Sequence, residues 1–527
     1  MKINLNISSL LFFLLTVNFS AFSQAGQIDS TFGENGIVST RIARGNEYNR
    51  GIVVQKDGKI VYGANSYAND YSGSQFLLIR YNYDGTVDKD YGQKGVVNTN
   101  FKTAKGGYGG AMNIQSDGKI IVAGNVNNTN NFSESLLAVE RFNTDGSLDT
   151  TLGNKGTSTT EFKNGTASAY SVGFQTDGKI IVAGTCSFNQ GLEVDFIVAR
   201  YNLDGKADTS FGNGGKIITK FSNFLLSGGA VGVDIKGRIF VAGTLSNTNN
   251  NDIALVCYKP NGSLDLSFGT KGKVITDFDN SQDFGNSIAV LKDGKIVVTG
   301  STTKDFNTPY DFALVQYNSN GSLDSSFGTD GKVTTDFGGT YDASYAMTLQ
   351  QDEKIVMCGQ TYDNTGAYYF SLARYNRNGS LDNTFGENGL VKTYFPNAGV
   401  VPYSIAISPD KKIVVGGDIF VYGAPDQDPL VVRYIGRDSS PTLHQTVTDL
   451  IIKSSTLKLY PNPALQSITI EGLKAAENTI TVIDTKGRIV YSITTGNNIC
   501  KINVELLAKG LYYVKINNSS TLKFVKE

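Results

Sequence analysis

Residues 287–300 read SIAVLKDGKIVVTG: two β-branched runs, Ser287 to Leu291 and Lys295 to Thr299, are joined by Lys292-Asp293-Gly294 and stopped by Gly300. Asp-Gly between apolar runs predicts a hairpin, because a tight turn there needs positive φ. Upstream, Lys273 to Phe278 (KVITDF) reads as a first strand after a Gly-rich loop. Downstream, Phe312 to Tyr317 (FALVQY) reads as a fourth strand, ended by the turn cluster Asn318-Ser319-Asn320-Gly321. This pattern recurs. A Phe-Gly pair or its equivalent ends at Gly33, Gly92, Gly153, Gly212, Gly269, Gly328 and Gly386, in steps of 59, 61, 59, 57, 59 and 58 residues. Asp-Gly-Lys-like turns start at Asp57, Asp117, Asp177 and Asp293, degrade around Gly237 and change at Asp352 and Asp410. Arg-Tyr-Asn-like strand ends fall at Tyr81, Phe142, Tyr201, Tyr258, Tyr317, Tyr375 and Tyr434. So regular a period means stacked supersecondary units.

Seven helix-poor units of four antiparallel strands predict an all-β fold, a seven-bladed β-propeller over residues 27–435. Strands such as Ile180-Ile181-Val182-Ala183 are apolar at most positions because both faces of a blade pack on neighbours. Closure into a ring also removes the exposed edges of an open array. An open β-solenoid is the competing architecture, and the Asp-Gly hairpins argue against it. The net charge of −1 offers no basic footprint for nucleic acid. Cys186, Cys257, Cys358 and Cys500 lack metal-ligand spacing and read as small buried hydrophobes; a Cys186–Cys257 bridge is open but not favoured.

Lys2, the apolar run Leu10 to Val17 and Ala21-Phe22-Ser23 predict a secretory signal over residues 1–23. That run is too short to cross a bilayer, which takes about 20 residues, and no later stretch reads as a transmembrane segment.

The units resemble the delta-60 repeat family, a bacterial propeller-like domain of unknown function. The resemblance rests on motifs such as GSLDLSFG at 262–269 and DGKIIVAG at 117–124. Lys236-Gly237-Arg238, Asp352-Glu353-Lys354 and Asp410-Lys411-Lys412 depart from it, which bears on hairpin turn type alone. The family implies a shape and no agreed activity.

After Tyr434 the chain turns polar, and residues 436–454 read as a linker holding the only histidine, His444. Residues 455–527 read as a small immunoglobulin-like β-sandwich. Its Tyr460-Pro461-Asn462-Pro463 opening, Asp484 with Gly487 and Arg488, Leu507 through Gly510-Leu511-Tyr512, and the closing Lys523-Phe524-Val525-Lys526-Glu527 resemble the type A sorting domain of the Bacteroidetes type IX secretion system. The resemblance implies a two-stage route: a signal peptide across the inner membrane, then recognition by the type IX machinery at the outer membrane. The product is then released or attached at the cell surface.

A lone histidine in a linker leaves no Ser/His/Asp triad or His-rich metal site in the array, and phosphate-binding Gly loops are absent. No catalytic, cofactor or metal residues are therefore assigned. Loops after the first and third strands of each unit vary, whereas the other rim is uniform; variation on a rigid frame suits recognition. The varied rim carries Tyr48, Tyr67, Tyr108, Phe306, Tyr310, Tyr341, Tyr362 and Tyr403, suited to stacking on glycan or protein. A second candidate set follows a Thr at the end of each first strand: Arg41, Asn100, Glu161, Lys220, Asp277, Asp336 and Tyr394. If that strand lines the axis, these residues ring the channel mouth. Ion pairs of Lys220 with Glu161 or Asp277 are their plainer role. Asp-rich connections such as Asn318, Asn320 and Asp324 read as Asx turns rather than calcium loops. Together these features point to an exported, non-catalytic binding propeller. The alternatives are a carbohydrate-active enzyme using Asp277, Asp336 or Glu161, and a structural spacer.

Overall fold

The hairpin at 287–300 forms, with its bend built differently from a two-residue turn. Leu291 N–H donates to the Lys295 carbonyl at 2.9 Å, so three residues span the loop, and only Gly294 takes positive φ, at 84°. This is the type I turn with a left-handed glycine. Asp293 Oδ1 accepts from Lys295 N–H at 3.1 Å, which explains Asp before Gly. Where the motif departs, Glu353 and Lys411 hold the left-handed position at φ 62° and 70°.

The structure is a computed structural model describing residues 25–527 apart from 43–44, 69–73, 100–108, 129–130, 222–223, 247–249, 307, 425, 438–457, 472, 474–477, 486–487, 498 and 518–519. The signal segment, His444 with most of the linker, Asn100, Tyr108 and Gly487 lie outside these residues. The chain divides into two compact units, Met1–Ser440 and Pro441–Glu527.

In the first unit, the described strands form five four-stranded antiparallel sheets and one eight-stranded sheet, in which two further four-stranded antiparallel groups touch through a single parallel pairing of Thr166 with Ser135. One group runs β1 (Gln282–Val290), β2 (Ile296–Thr303), β3 (Asp311–Tyr317), β4 (Lys332–Thr335), each hydrogen-bonded to the next. All eight residues of β2 are buried, as a strand sandwiched between two blades must be. Each such Ile or Val contributes roughly 1.5–3 kcal/mol. The β1-type strands of successive groups pack against one another all the way round, Ala398–Ile407 meeting Gly45–Val54 to complete the ring.

Blades and sequence units are out of phase by one strand. The KVIT strand pairs with the last strand of the preceding unit, Val274 opposite Leu255, and is the outermost strand of that blade. The Gly-rich connection folds tightly back, with Asp265 N–H on the Cys257 carbonyl and Cys257 N–H on that of Gly272. The first strand therefore lies furthest from the axis, so the condition under which its end residues would ring the channel mouth is not met. The same offset closes the ring. Ile37–Ser39, from the start of the described chain, pairs with Gln427–Tyr434, Ile37 opposite Val432.

The uniform rim is a structural clasp. Asp208 takes Arg200 at 2.9 Å and Lys179 at 3.0 Å; Asp149 and Asp382 bind Arg141 with Lys119, and Arg374 with Lys354, in the same way. The arginine also reaches the next blade, Arg141 donating to the Leu203 carbonyl at 2.7 Å. Burial opposes charge on Asp208, but bonds from Ser210 and Lys179 and the Arg200 charge outweigh it, holding the carboxyl down at about 2. Asn320 Oδ1 accepts from Ser322 N–H at 3.0 Å, the Asx turn expected of these connections.

The repeated tyrosines tie each blade to its neighbour. Tyr317 hydroxyl meets Thr276 Oγ1 of the preceding blade at 2.7 Å, both buried; Tyr81, Tyr201, Tyr258, Tyr375 and Tyr434 do likewise. Tyr317→Phe strands the Thr276 hydroxyl and is expected to cost about 1 kcal/mol. The urea midpoint should fall with the m-value unchanged. An unshifted midpoint contradicts a stabilising role for this bond.

The second unit packs a three-stranded sheet (Lys458–Tyr460, Ser467–Glu471, Ile499–Asn503) and a four-stranded sheet (Ile489–Thr495, Asn478–Asp484, Gly510–Ile516, Ser520–Lys526) around one core. Asn462 explains part of its opening motif, accepting from Val525 N–H at 2.9 Å and so holding the final strand. Tyr512 is buried and stacks on Phe524, with centroids 5.5 Å apart. Tyr460, Pro461 and Pro463 are exposed, and both X-Pro bonds of the motif are cis.

Candidate functional site

Each innermost strand carries a bulge, and a bulge re-aims one side chain. The extra residues are Arg50, Gly110, Tyr170, Gly229, Asn286, Tyr345 and Tyr403. These residues, not the strand-one ends, occupy the innermost ring. Sequence reasoning had Tyr403 among the rim aromatics and missed the other six, although a signal exists. Each stands seven residues before the turn and is followed by Gly, Ala or Ser, as in Tyr345-Ala346 and Tyr403-Ser404.

On one arc of the ring the aromatics join into a track. Phe284 lies 6.0 Å from Tyr310, Tyr310 4.9 Å from Tyr341, and Tyr345 5.1 Å from Tyr403. Burial, then the adjoining Tyr341 and Tyr403, pushes the Tyr345 phenol far up; burial and Asp418 push Tyr403 up to about 12. Tyr403 also lies within electrostatic reach of exposed Arg50. The track thus runs over consecutive innermost strands on the varied rim.

Other rim residues pair off. Tyr48 meets Tyr67 edge-on at 5.4 Å, and Tyr362 meets Tyr368 at 4.6 Å. Phe306 lies in the β2–β3 loop, 64% exposed. Of the sequence candidates, the structure brings together Tyr310 with Tyr341 and Tyr48 with Tyr67, sets Tyr403 in the track, and adds Phe284, Tyr345 and Tyr368.

The strand-one residues mark outer corners of this rim. Each corner joins the end of an outermost strand, the start of the third strand in the same blade and the start of the next innermost strand. Arg41 binds Asp426 at 2.8 Å, beside buried Glu47. Lys220 pairs with Glu193 at 3.2 Å and Asp195 at 3.7 Å, not with Glu161 or Asp277. Tyr394 stacks on Tyr369 at 5.5 Å. Glu161 presents its backbone carbonyl to Lys216. Asp277 meets Asp252 and Asp283, and Asp336 meets Asp311 and Asp342, with one oxygen per residue inside 4.8 Å of the others. Burial, then neighbouring acids, raises Asp283 and Asp311 to about 6 each. Asp277 and Asp336 therefore belong to separate corners.

All four cysteines are free and buried, and burial pushes the Cys186, Cys257 and Cys358 thiols up to about 12, away from reactivity. No described helix is long and apolar enough to cross a membrane.

Residues 55–90, 115–152, 175–211, 237–268, 291–327 and 350–385 match the family described as a domain of unknown function (DUF5122) beta-propeller, and residues 458–527 match the secretion system C-terminal sorting domain. The chain is a DUF5122 propeller array with a type IX sorting domain. Each DUF5122 match runs from a hairpin to the Phe-Gly pair. In the last blade of the array those two parts sit at opposite ends of the chain, Asp410 and Phe32. The sorting domain indicates export across the outer membrane to the cell surface or extracellular space.

No curated protein matches the sequence. Among solved structures, the DUF5122 chain is similar to the polysaccharide lyase Uly1, at 12% identity and TM-score 0.45 over 77% of this chain and 92% of that one. It is similar to virginiamycin B lyase from Staphylococcus aureus, at 12% identity and TM-score 0.42 over 75% and 98%. A protein of unknown function from Dyadobacter fermentans aligns at 10% identity and TM-score 0.43 over 76% and 99%. Likeness at this level says nothing of chemistry.

Proposed function

We propose that the exported array is a non-catalytic binding module that takes glycan on the arc of Phe284, Tyr310, Tyr341, Tyr345 and Tyr403. The supporting observation is the aromatic track itself. Half-buried rings follow one another across neighbouring blades on a rigid frame, where apolar sugar faces stack and Arg50 and Asn286 offer polar contacts beside them. An extracellular or surface address is where such a module meets polysaccharide.

The test is a glycan array of neutral and acidic polysaccharides, followed by calorimetry on the strongest binder. Tyr345→Ala with Tyr403→Ala should weaken binding at least tenfold, about 1.4 kcal/mol. Tyr345→Phe should retain it, and Tyr170→Ala, on the far side of the ring, should leave it unchanged. A surface-protein pull-down runs in parallel, and capture that survives loss of the arc overturns the proposal. Turnover of the bound glycan overturns the non-catalytic reading. Absence of any glycan binder points to a spacer.

A further inference from the structure

The aromatic arc has a continuation on the varied rim. Tyr341, in the arc, stands opposite Tyr362 where Tyr341–Leu349 pairs with Ile355–Tyr362, and Thr340 N–H donates to the Tyr362 carbonyl at 2.8 Å. One strand further from the axis, Tyr362 stands opposite Tyr368, with ring centroids 4.6 Å apart. Tyr368 lies within electrostatic reach of Tyr422, which belongs to the next blade. Tyr422 is held there by its backbone N–H, which donates to the Asn397 carbonyl at 2.9 Å, and its ring meets Phe420 edge-on at 6.2 Å.

The fold does not ask for these rings. At the position of Tyr362, opposite the first residue of an innermost strand, other blades carry Ser246 and Thr303; Phe188, where it occurs, packs onto a blade core. Phe420, Val421 and Tyr422 instead stand out at the tip of their hairpin, 41%, 43% and 52% exposed. Apolar side chains grouped in this way mark a contact surface, whereas single ones need no explanation. The shape of the group selects its occupant. A protein contact needs a broad apolar centre. Here the rings run in a narrow line outward from Tyr341, and the loop joining Tyr362 to Tyr368 exposes Asn364 and Thr365 beside them. Such a line fits the apolar faces and hydroxyl edges of a sugar chain.

We propose that Tyr362, Tyr368, Tyr422 and Phe420 form an outer subsite for the same chain that occupies the arc, so that the ligand is a long polysaccharide laid outward from the innermost ring over the last two blades. The subsite rests on the glycan reading of the arc and deepens it. The arc alone serves a short oligosaccharide; the outer rings reward only a chain long enough to reach them.

Calorimetry on the full-length protein uses the strongest polysaccharide from the array and size-fractionated oligosaccharides cut from it. Affinity should rise with oligosaccharide length and then level off. Phe420→Ala with Tyr422→Ala should weaken the long fractions about tenfold, what two stacked rings contribute, and leave the shortest binding fraction unchanged. Both side chains are exposed and the Tyr422 backbone bond to Asn397 remains, so the melting temperature should not move. Tyr422→Phe, which keeps the ring, should bind as the parent does. A long chain also gains from offering many equal sites, but that gain persists in the double variant, whereas the contact gain does not. Affinity independent of length, or a double variant that weakens short and long fractions alike or neither, overturns the outer subsite and leaves the arc standing. A surface protein whose capture needs Phe420 and Tyr422, with polysaccharide binding indifferent to their loss, overturns it in favour of a protein contact. If no polysaccharide binds at all, the arc and the subsite fall together.

Discussion

Replacing Arg433 with Ala should lower the stability of the propeller by about 3 kcal/mol, the low end of the cost of stranding a buried charge. Arg433 is 1% exposed; it binds Asp29 at 2.8 Å, the Tyr83 carbonyl at 2.5 Å and Thr31 at 3.2 Å, and it lies over the Phe32 ring. Lys412, 3.2 Å from Asp29, remains in the variant, so the loss is not total. What distinguishes this site from its equivalents is which parts of the chain it joins. Asp29 belongs to the segment that completes the last blade, whereas Arg141 and Asp149 make the same pair within eight residues. Arg433→Ala should therefore expose the segment around residues 25–39 to limited proteolysis, while Arg141→Ala destabilises comparably without doing so. Equal protease sensitivity in the two variants contradicts the closure argument.

Asp418→Asn should change the pH dependence of stability by a comparable amount. Asp418 is fully buried, accepting from Asn49 N–H at 2.7 Å and the Tyr62 hydroxyl at 3.0 Å. Burial is the main cause of its rise to about 7. Nearby Glu47 rises to about 7 as well, through burial and then the charges of Asp428, Asp426 and Asp418. A carboxyl raised on folding stabilises the protein fully below its unfolded value near 4, and that contribution is lost as pH climbs through 7. For Asp418 the span corresponds to something on the order of 4 kcal/mol. The parent should thus lose stability from about pH 4 to 7, and Asp418→Asn should flatten that slope while matching the parent near pH 4. At the uniform rim the sign reverses. Asp208 and Asp382, held at about 2, withdraw their contribution as pH falls from about 4 through 2. Chemical denaturation across pH 3–8 checks both limbs, and an unchanged slope in the variant refutes the first.

The strand content, the four-strand rhythm and the sorting domain were legible because local marks carry them. Asp293-Gly294 dictates its own hairpin, and Asn320 its own Asx turn. The corners were not legible, because a corner is made by three strands from two blades. Asp277 was singled out from its repeat position, but Asp252 and Asp283 reach it only through the pairing of Thr276 with Ile253 and the packing of the next blade. Placing strand one at the axis failed for the same reason. A short apolar strand reads alike at the hub and at the periphery, and only the tight Gly-rich return after Tyr258 decides between them. The innermost ring stayed hidden because a bulge is a mismatch between two strands, marked in the sequence only by a small residue after it and a fixed distance to the turn.

The clasp made by Ile37–Ser39 also bears on how the molecule forms. Seven blades can assemble in order as the chain emerges, each from roughly sixty contiguous residues, except the last, which must wait for a partner nearly four hundred residues earlier. Joining ends that far apart costs about 1.7 kcal/mol more in chain entropy than closing a single unit. Until that happens Gln427–Tyr434 presents a bare strand edge, a ready template for pairing with another molecule. Maturation of the whole ring is thereby gated by its final few residues, so a prematurely terminated chain is left open and prone to aggregate.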